Sequence, residues 1–279
     1  MSAFTDLSDL TNVMTGGGAA QPQHPIFWID NRVGAAAATA TIAGRMHSLW
    51  TYNKSNGATG AVPTTVAAPT NATTGALPFT SPGGGRELHI LGIEGALTQQ
   101  EVVIAYDRLL HIGGLSGTST SAQTVGGTLT RNTGGEGNQI WVEIYTQIGS
   151  TATTITASYT NQAGTSGRTT QAVAIGGTNN REVTRVIPLT LQAGDTGVQA
   201  VASVTLAATT GTAGDFGVTI ARPLVFGNNE NTGSMFLRDF IAGMPSAQKL
   251  VDDECVAFAI VSGSNSAPQG FLGLHLLER

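Results

Sequence analysis

Short runs of β-branched and apolar residues, separated by glycine-rich turns, recur along nearly the whole chain. The clearest run, QIWVEIYTQI at residues 139–148, alternates with a strict period of two. Its aliphatic side chains fall on one face of an extended chain, whereas Trp141, Glu143 and Tyr145 fall on the other. The pattern predicts a strand that is buried on its aliphatic face, with its aromatic second face covered by a loop or by a partner.

Similar runs predict an all-β fold. Threonine and valine favour strands because branched side chains pack well on a pleated surface, and the 37 glycines cluster with Asn, Asp and Thr as turns. The spacing of these turns is typical of an antiparallel β-sandwich, with a jelly roll as the expected topology. Strands are predicted at 26–29, 45–52, 88–91, 102–115, 139–148, 153–160, 182–189, 198–206, 216–220, 234–240, 255–262 and 270–277.

The chain is expected to consist of one β-sandwich body, residues 26–279, preceded by an N-terminal arm, residues 1–25. Within the arm, Phe4, Leu7 and Leu10 recur at helical spacing, so a short helix is predicted. A helix this short needs a surface to pack on, because the hydrogen bonds of a few turns do not offset the free-energy cost of helix nucleation in water. Two alternatives remain open: the arm packs on its own body or on a neighbouring subunit.

A long loop is predicted at residues 53–85. This stretch carries four prolines, a glycine triplet and almost no charge. Proline removes backbone hydrogen-bond donors and glycine raises the entropy cost of order, so the segment is expected to cross the surface. Loops of this length are functional or mobile, and we expect this one to contact another subunit.

Charge excludes some functions. Only 11% of the residues are charged, the net charge is −5, and the estimated isoelectric point is 5.5. Such a chain has too little positive charge to neutralise a phosphate backbone, so no nucleic-acid partner is expected. The sequence shows no signal-peptide pattern and no uninterrupted apolar run long enough to span a membrane, so neither secretion nor a membrane partner is expected.

No motif indicates catalysis, a cofactor or a metal. The lone Cys255 precedes an apolar run and is predicted to be a buried core residue. Glycan-cleaving enzymes need only two carboxylates placed by the fold, but aromatic platforms are scarce here, so glycan binding is a weaker hypothesis and hydrolysis weaker still. The scattered histidines at 24, 47, 89, 111 and 275 show no metal-ligand spacing, and the candidate carboxylates for such an enzyme are Glu94, Glu101, Asp107, Glu136 and Glu143.

Four long strings resemble virion structural proteins of tailed bacteriophages, over roughly residues 25–279. They carry no catalytic motif, so the resemblance implies a place in a particle and no enzymatic activity. The strings are YDRLLHIGGLSGT at 106–118, GNQIWVEIYTQIG at 137–149, TITASYTNQAGTSGRTTQAV at 154–173 and LQAGDTGVQAVASVTLAATTGTAGDFGVTIARPL at 191–224.

The resemblance implies a capsid decoration, or cement, protein on the capsid exterior, made in the cytoplasm of a host bacterium. Its partners would be the major capsid protein and copies of itself, most simply in a homotrimer. The expected subunit-contact residues are Phe4, Leu7, Leu10, Trp141 and Tyr145. The alternative is a tail, collar or fibre component that acts as an adaptor or binds a receptor or glycan.

Overall fold

The computed structural model describes residues 22–29, 41–52, 59–82, 86–240 and 248–278, and these residues form antiparallel β-sheets. A single 3₁₀ turn, Trp50–Tyr52, is the one helical element among them, and none of them forms a helix long and apolar enough to cross a membrane. The strands are β1 (Pro22–Gln23), β2 (Ile26–Ile29), β3 (Met46–Ser48), β4 (Leu88–Leu97), β5 (Glu101–Leu115), β6 (Gln123–Thr124), β7 (Gln139–Thr146), β8 (Thr153–Asn161), β9 (Arg168–Thr169), β10 (Val173–Ile175), β11 (Val186–Leu189), β12 (Val198–Leu206), β13 (Asp215–Asn229), β14 (Met235–Asp239), β15 (Gln248–Leu250), β16 (Val256–Ser262) and β17 (Gly270–Glu278).

The strands make three sheets. The central sheet has the order β11-β7-β13-β5-β16-β3. The terminal sheet has β17 and β4 at its middle, with β1 and β2 paired to β17 and with β14 and β15 paired to β4. The distal sheet has the order β10-β8-β12-β6, with β9 also paired to β8. All of these pairings are antiparallel, as the turn spacing predicts.

Two hydrophobic cores join the three sheets, because β5 and β13 are long enough to contribute to both. One end of β5 places Val103 and Ala105 in the core shared with the terminal sheet. The other end places Leu109 and Leu110 in the core shared with the distal sheet. The described residues therefore form antiparallel sheets packed around two cores, which is consistent with the predicted β-sandwich; neither a jelly roll nor a helical arm is confirmed.

The long strand β13 differs most from its prediction, which ended at residue 220. The strand continues to Asn229 and contains Pro223, a residue that normally ends a strand in the middle of a sheet. The pairing with β5 shifts register between Pro223 and Val225. A bulge of this kind interrupts the ladder of hydrogen bonds, so it accommodates a proline, which has no backbone N–H to donate. Several other predicted strands agree closely with the structure, including β2, β5, β12 and β17.

The second face of the central sheet is covered by the chain itself. Residues 59–82 run across it without forming a strand, and only the isolated bridge between Ala67 and His111 pairs this stretch with the sheet. The Leu77 backbone amide also donates to the Val256 carbonyl at 2.8 Å. Because Trp141 lies beneath this cover, the aromatic face of β7 is covered by a loop, which is one of the two outcomes that its sequence pattern allowed.

The predicted arm falls mainly outside the described residues. Phe4, Leu7 and Leu10 are among the residues that the structure does not describe. Near the predicted end of the arm, Pro22 and Gln23 pair with Leu277 and Leu276 as strand β1, so residues 22 and 23 belong to the terminal sheet. The contact of residues 53–85 with another subunit stays a prediction.

Candidate functional site: the open face of the terminal sheet

The terminal sheet presents an apolar outer face, which we call the open face. Cross-strand pairing aligns Trp28 with Phe271, and Phe271 with Ala96, which pairs in turn with Met235. The rings of Trp28 and Phe271 lie 5.7 Å apart. Trp28 is 56% exposed and Met235 62% exposed, so this row of side chains offers apolar surface to a partner.

A second row lies beside the first on the same face. It joins Ile26, Gly273 and Glu94 with Leu237, which is 61% exposed. The inward residues of the same strands, such as Leu272 and Leu274, fill the core instead. This division follows from the period-two geometry of strands and makes one face of the sheet core and the other face surface.

Two histidines and a glutamate meet at one end of the open face. The Nε2 atom of His24 lies 2.7 Å from Oε1 of Glu94, and the Nε2 atom of His275 lies 3.0 Å from Oε2 of the same carboxylate. The two imidazole rings stack with centroids 4.5 Å apart. They border a cavity of about 460 Å³ that Leu237 and Asp239 also line.

A different polar cluster lies on the covered face of the central sheet. Arg108 donates two hydrogen bonds to Glu143, and its guanidinium carbon lies 4.6 Å from the centre of the Trp50 ring. The Tyr145 hydroxyl donates to Glu143 at 2.7 Å and accepts from Arg108 at 2.8 Å. Both charges are buried, which is stable only because each has a partner and further hydrogen bonds.

Burial and charge shift several pKa values around this cluster. Burial and the neighbouring Arg108 charge lower the pKa of His111 to about 3, so its Nδ1 atom is free of a proton and accepts from Arg108 Nε at 2.8 Å. Burial, the largest single effect, would lower the pKa of Arg108. The Glu143 charge, its hydrogen bonds and the neighbouring Tyr145 and Tyr106 together outweigh burial and raise that pKa well above its ordinary value. The cluster therefore keeps one fixed ion pair and a neutral histidine at neutral pH.

The sequence-predicted contact residues Trp141 and Tyr145 belong to this covered face. Trp141 is only 1% exposed, and its ring packs 4.7 Å from that of Tyr106. Tyr145 is half-buried, and its hydroxyl is bound within the Arg108 cluster. Both side chains thus have contacts inside the chain, and their use in contacts with another subunit stays a prediction.

The buried carboxylates lie in different electrostatic environments. Burial, and then the charge of the neighbouring Asp107, raise the pKa of the fully buried Glu254 above its ordinary value. Asp107 pairs with Arg131 at 2.7 Å, and Glu143 pairs with Arg108. Glu101 is buried at another place in the fold, where burial raises its pKa to about 8. Cys255 is buried, as its flanking sequence predicted, and burial raises its pKa to about 12.

Sequence reasoning missed both parts of the open face. The exposed side chains of Met235 and Leu237 stand on a strand that the sequence predicted, but nothing in the sequence shows that one of its faces is left open. The histidine cluster gave no signal either, because His275 is 181 residues from Glu94 along the chain. Only the pairing of β17 with β4 brings them together.

Comparisons with known proteins give little further information. No protein family and no curated protein matches the chain. One solved structure, of the infectious bursal disease virus Gt strain, is 7% identical, covers 93% of this chain and 80% of its own, and has a TM-score of 0.20. A crystal structure of the infectious bursal disease virus VP2 subviral particle is 6% identical, covers 92% and 80%, and has a TM-score of 0.17. A likeness at these TM-scores supports no argument about the fold or the function of this chain.

Proposed function

We propose that the protein is a structural component of a virion, and more closely a decoration protein that coats and stabilises a capsid shell. In this role it binds the major capsid protein and other copies of itself, and it catalyses no reaction. The proposal rests first on the open face of the terminal sheet. The resemblance of four sequence strings to virion proteins of tailed bacteriophages gives the setting.

The open face suits an interface. Trp28, Met235 and Leu237 are each more than half exposed on one side of one sheet. Monomeric soluble proteins rarely expose large contiguous apolar patches, whereas association surfaces commonly do. Burial of apolar area contributes about 25 cal/mol per Å², so covering this face with another subunit stabilises an assembly.

The rest of the fold supports a structural role. Three sheets share two cores, and the second face of the central sheet is already covered by residues 59–82. A body with two packed cores and one open apolar face suits a building block of an assembly. The low fraction of charged residues, 11%, also suits close contacts between subunits.

The copy number in purified virions tests this proposal directly. Quantitative mass spectrometry, with the major capsid protein as internal standard, is expected to give one copy per capsid subunit or a simple fraction of it. A handful of copies per particle would instead place the protein in the tail, collar or fibre. Absence from virions would overturn the structural role altogether.

A further inference from the structure

We propose that His24, Glu94 and His275 form a binding site for a divalent transition-metal ion, with zinc as the best-suited ion. This inference does not depend on the virion role, because it concerns only the chemistry of three side chains on the open face. Their candidate ligand atoms, two imidazole nitrogens and a carboxylate oxygen, all lie within 4.8 Å of one another.

The three ligand types match zinc chemistry. Zinc binds histidine nitrogen and carboxylate oxygen at about 2.0 to 2.2 Å, and sites with two histidines and one glutamate are well known among zinc proteins. A tetrahedral ion would hold these atoms about 3.3 Å apart, given such bond lengths. The separations of up to 4.8 Å therefore have to close by at most about 1.5 Å when an ion binds.

A glycine leaves room for the ligands. A Cβ atom at Gly273 would lie 3.1 Å from His24 Nε2 and 3.4 Å from Glu94 Cγ. The backbone at Gly273 does not adopt the left-handed conformation that favours glycine, so the conformation itself would accept a side chain. A side chain at this position would therefore crowd His24 and Glu94, and also Ile26, whose Cδ1 atom would lie 3.0 Å from the Cβ atom.

The site is reachable from solvent yet held by the sheet. The side chains of His24 and His275 are 46% and 40% exposed, whereas that of Glu94 is 8% exposed. Glu94 stands on β4 and His275 on β17, the two middle strands of the terminal sheet. Three protein ligands would leave a fourth coordination position for water or a group from a partner, and both histidines line the cavity.

The other interpretation of this cluster is a hydrogen-bonded ion pair, in which Glu94 simply accepts from both histidines. Titration of the full-length chain separates the two. The protein is purified without a histidine tag, treated with a chelator and dialysed, and Zn²⁺ is then added in a calorimeter. We expect saturable binding of one ion per chain. Co²⁺ added in place of Zn²⁺ is expected to give the visible absorption of a site with low coordination number.

Three variants locate the bound ion. Glu94→Gln and His275→Asn each remove a ligand and are expected to weaken Zn²⁺ binding about 100-fold or more, since loss of an outer-shell partner alone typically costs 10- to 100-fold. Glu230→Gln is the matched control, because Glu230 is an exposed carboxylate that bonds to Asn228 and takes no part in the cluster. It is expected to bind Zn²⁺ like the unmodified chain.

Circular dichroism without metal shows which variants are folded. If a variant does not fold, Zn²⁺ binding by the unmodified chain still tests the proposal. For that chain, Zn²⁺ is expected to raise the melting temperature, because an ion that binds only the folded state stabilises it. The proposal is overturned if the unmodified chain shows no saturable Zn²⁺ or Co²⁺ binding. It is equally overturned if folded Glu94→Gln and His275→Asn bind as tightly as the control.

Discussion

The guanidinium of Arg108 donates two hydrogen bonds to the carboxylate of Glu143, at 2.7 and 2.6 Å, and both side chains are buried. The pair joins β5 to β7 on the covered face, two strands that are not direct neighbours because β13 lies between them. The pair thus crosses the width of one intervening strand. It fixes the relative positions of three strands of the central sheet under the loop.

Replacing Glu143 with glutamine is expected to destabilise the fold strongly. The change leaves the Arg108 charge buried without its counter-charge, and breaking a buried pair in this way typically costs about 3 to 5 kcal/mol. Urea unfolding measures the difference. Glu87→Gln, which removes an exposed partner of Lys249, is the control and is expected to leave stability nearly unchanged. Equal stability of the two variants would contradict a structural role for the buried pair.

Glu101 is expected to make stability fall as the pH rises. Burial raises the pKa of Glu101 to about 8, against a smaller opposite effect of the nearby Ser262 side chain. Between pH 4.5, its ordinary pKa, and about 8, the folded state holds a proton that the unfolded state has lost. The free energy of unfolding therefore falls through this window, by up to about 1.4 kcal/mol per pH unit.

Glu101→Gln removes this titration and isolates its effect. The difference in stability between the variant and the unmodified chain is expected to change between pH 4.5 and 8 and to be constant below that range. The difference is needed because the lowered pKa of His111 makes stability rise with pH between about 3 and 6.5, the opposite sign. A pH-independent difference would show that Glu101 ionises normally in the folded chain.

Gly113→Ala is expected to lift the covering loop from the central sheet. A Cβ atom at Gly113 would lie 2.2 Å from the Pro63 carbonyl oxygen and 3.1 Å from the Tyr145 ring. Overpacking of this kind typically costs about 1 to 3 kcal/mol. Hydrogen exchange within residues 59–82 is expected to accelerate. Gly134→Ala is the control, because nothing lies within 4 Å of its Cβ position. Equal hydrogen exchange in both variants would show that residues 59–82 do not pack closely against Gly113.

Charges on the open face are expected to prevent association. The double variant Met235→Glu, Leu237→Glu places two carboxylates where apolar side chains are now more than half exposed. Sedimentation with purified capsid shells, and light scattering of the free protein, are expected to show loss of binding and of self-association. Gln147→Glu with Ser150→Glu adds the same charge at exposed positions elsewhere and is expected to bind normally. Equal binding by both double variants would exclude the open face as the interface.

Strand positions were readable from the sequence, because alternation is a local property of an extended chain. The run at 139–148 predicted both the strand β7 and its two different faces. Val198–Leu206 was predicted with the bounds that the structure shows. The prediction stopped short in β13, because Pro223 is locally a strand breaker and only the bulge against β5 accommodates it.

The sequence by itself determined an all-β chain, its buried cysteine and the aromatic second face of β7, since each depends on neighbours a few residues away. The tertiary structure decided what that face packs against, which sheet face stays open, and that His24, Glu94 and His275 meet. These outcomes depend on which strands pair with which, and the paired strands are far apart along the chain: 181 residues separate Glu94 from His275. Pairing of distant strands is a property of the whole fold, and no local pattern records it.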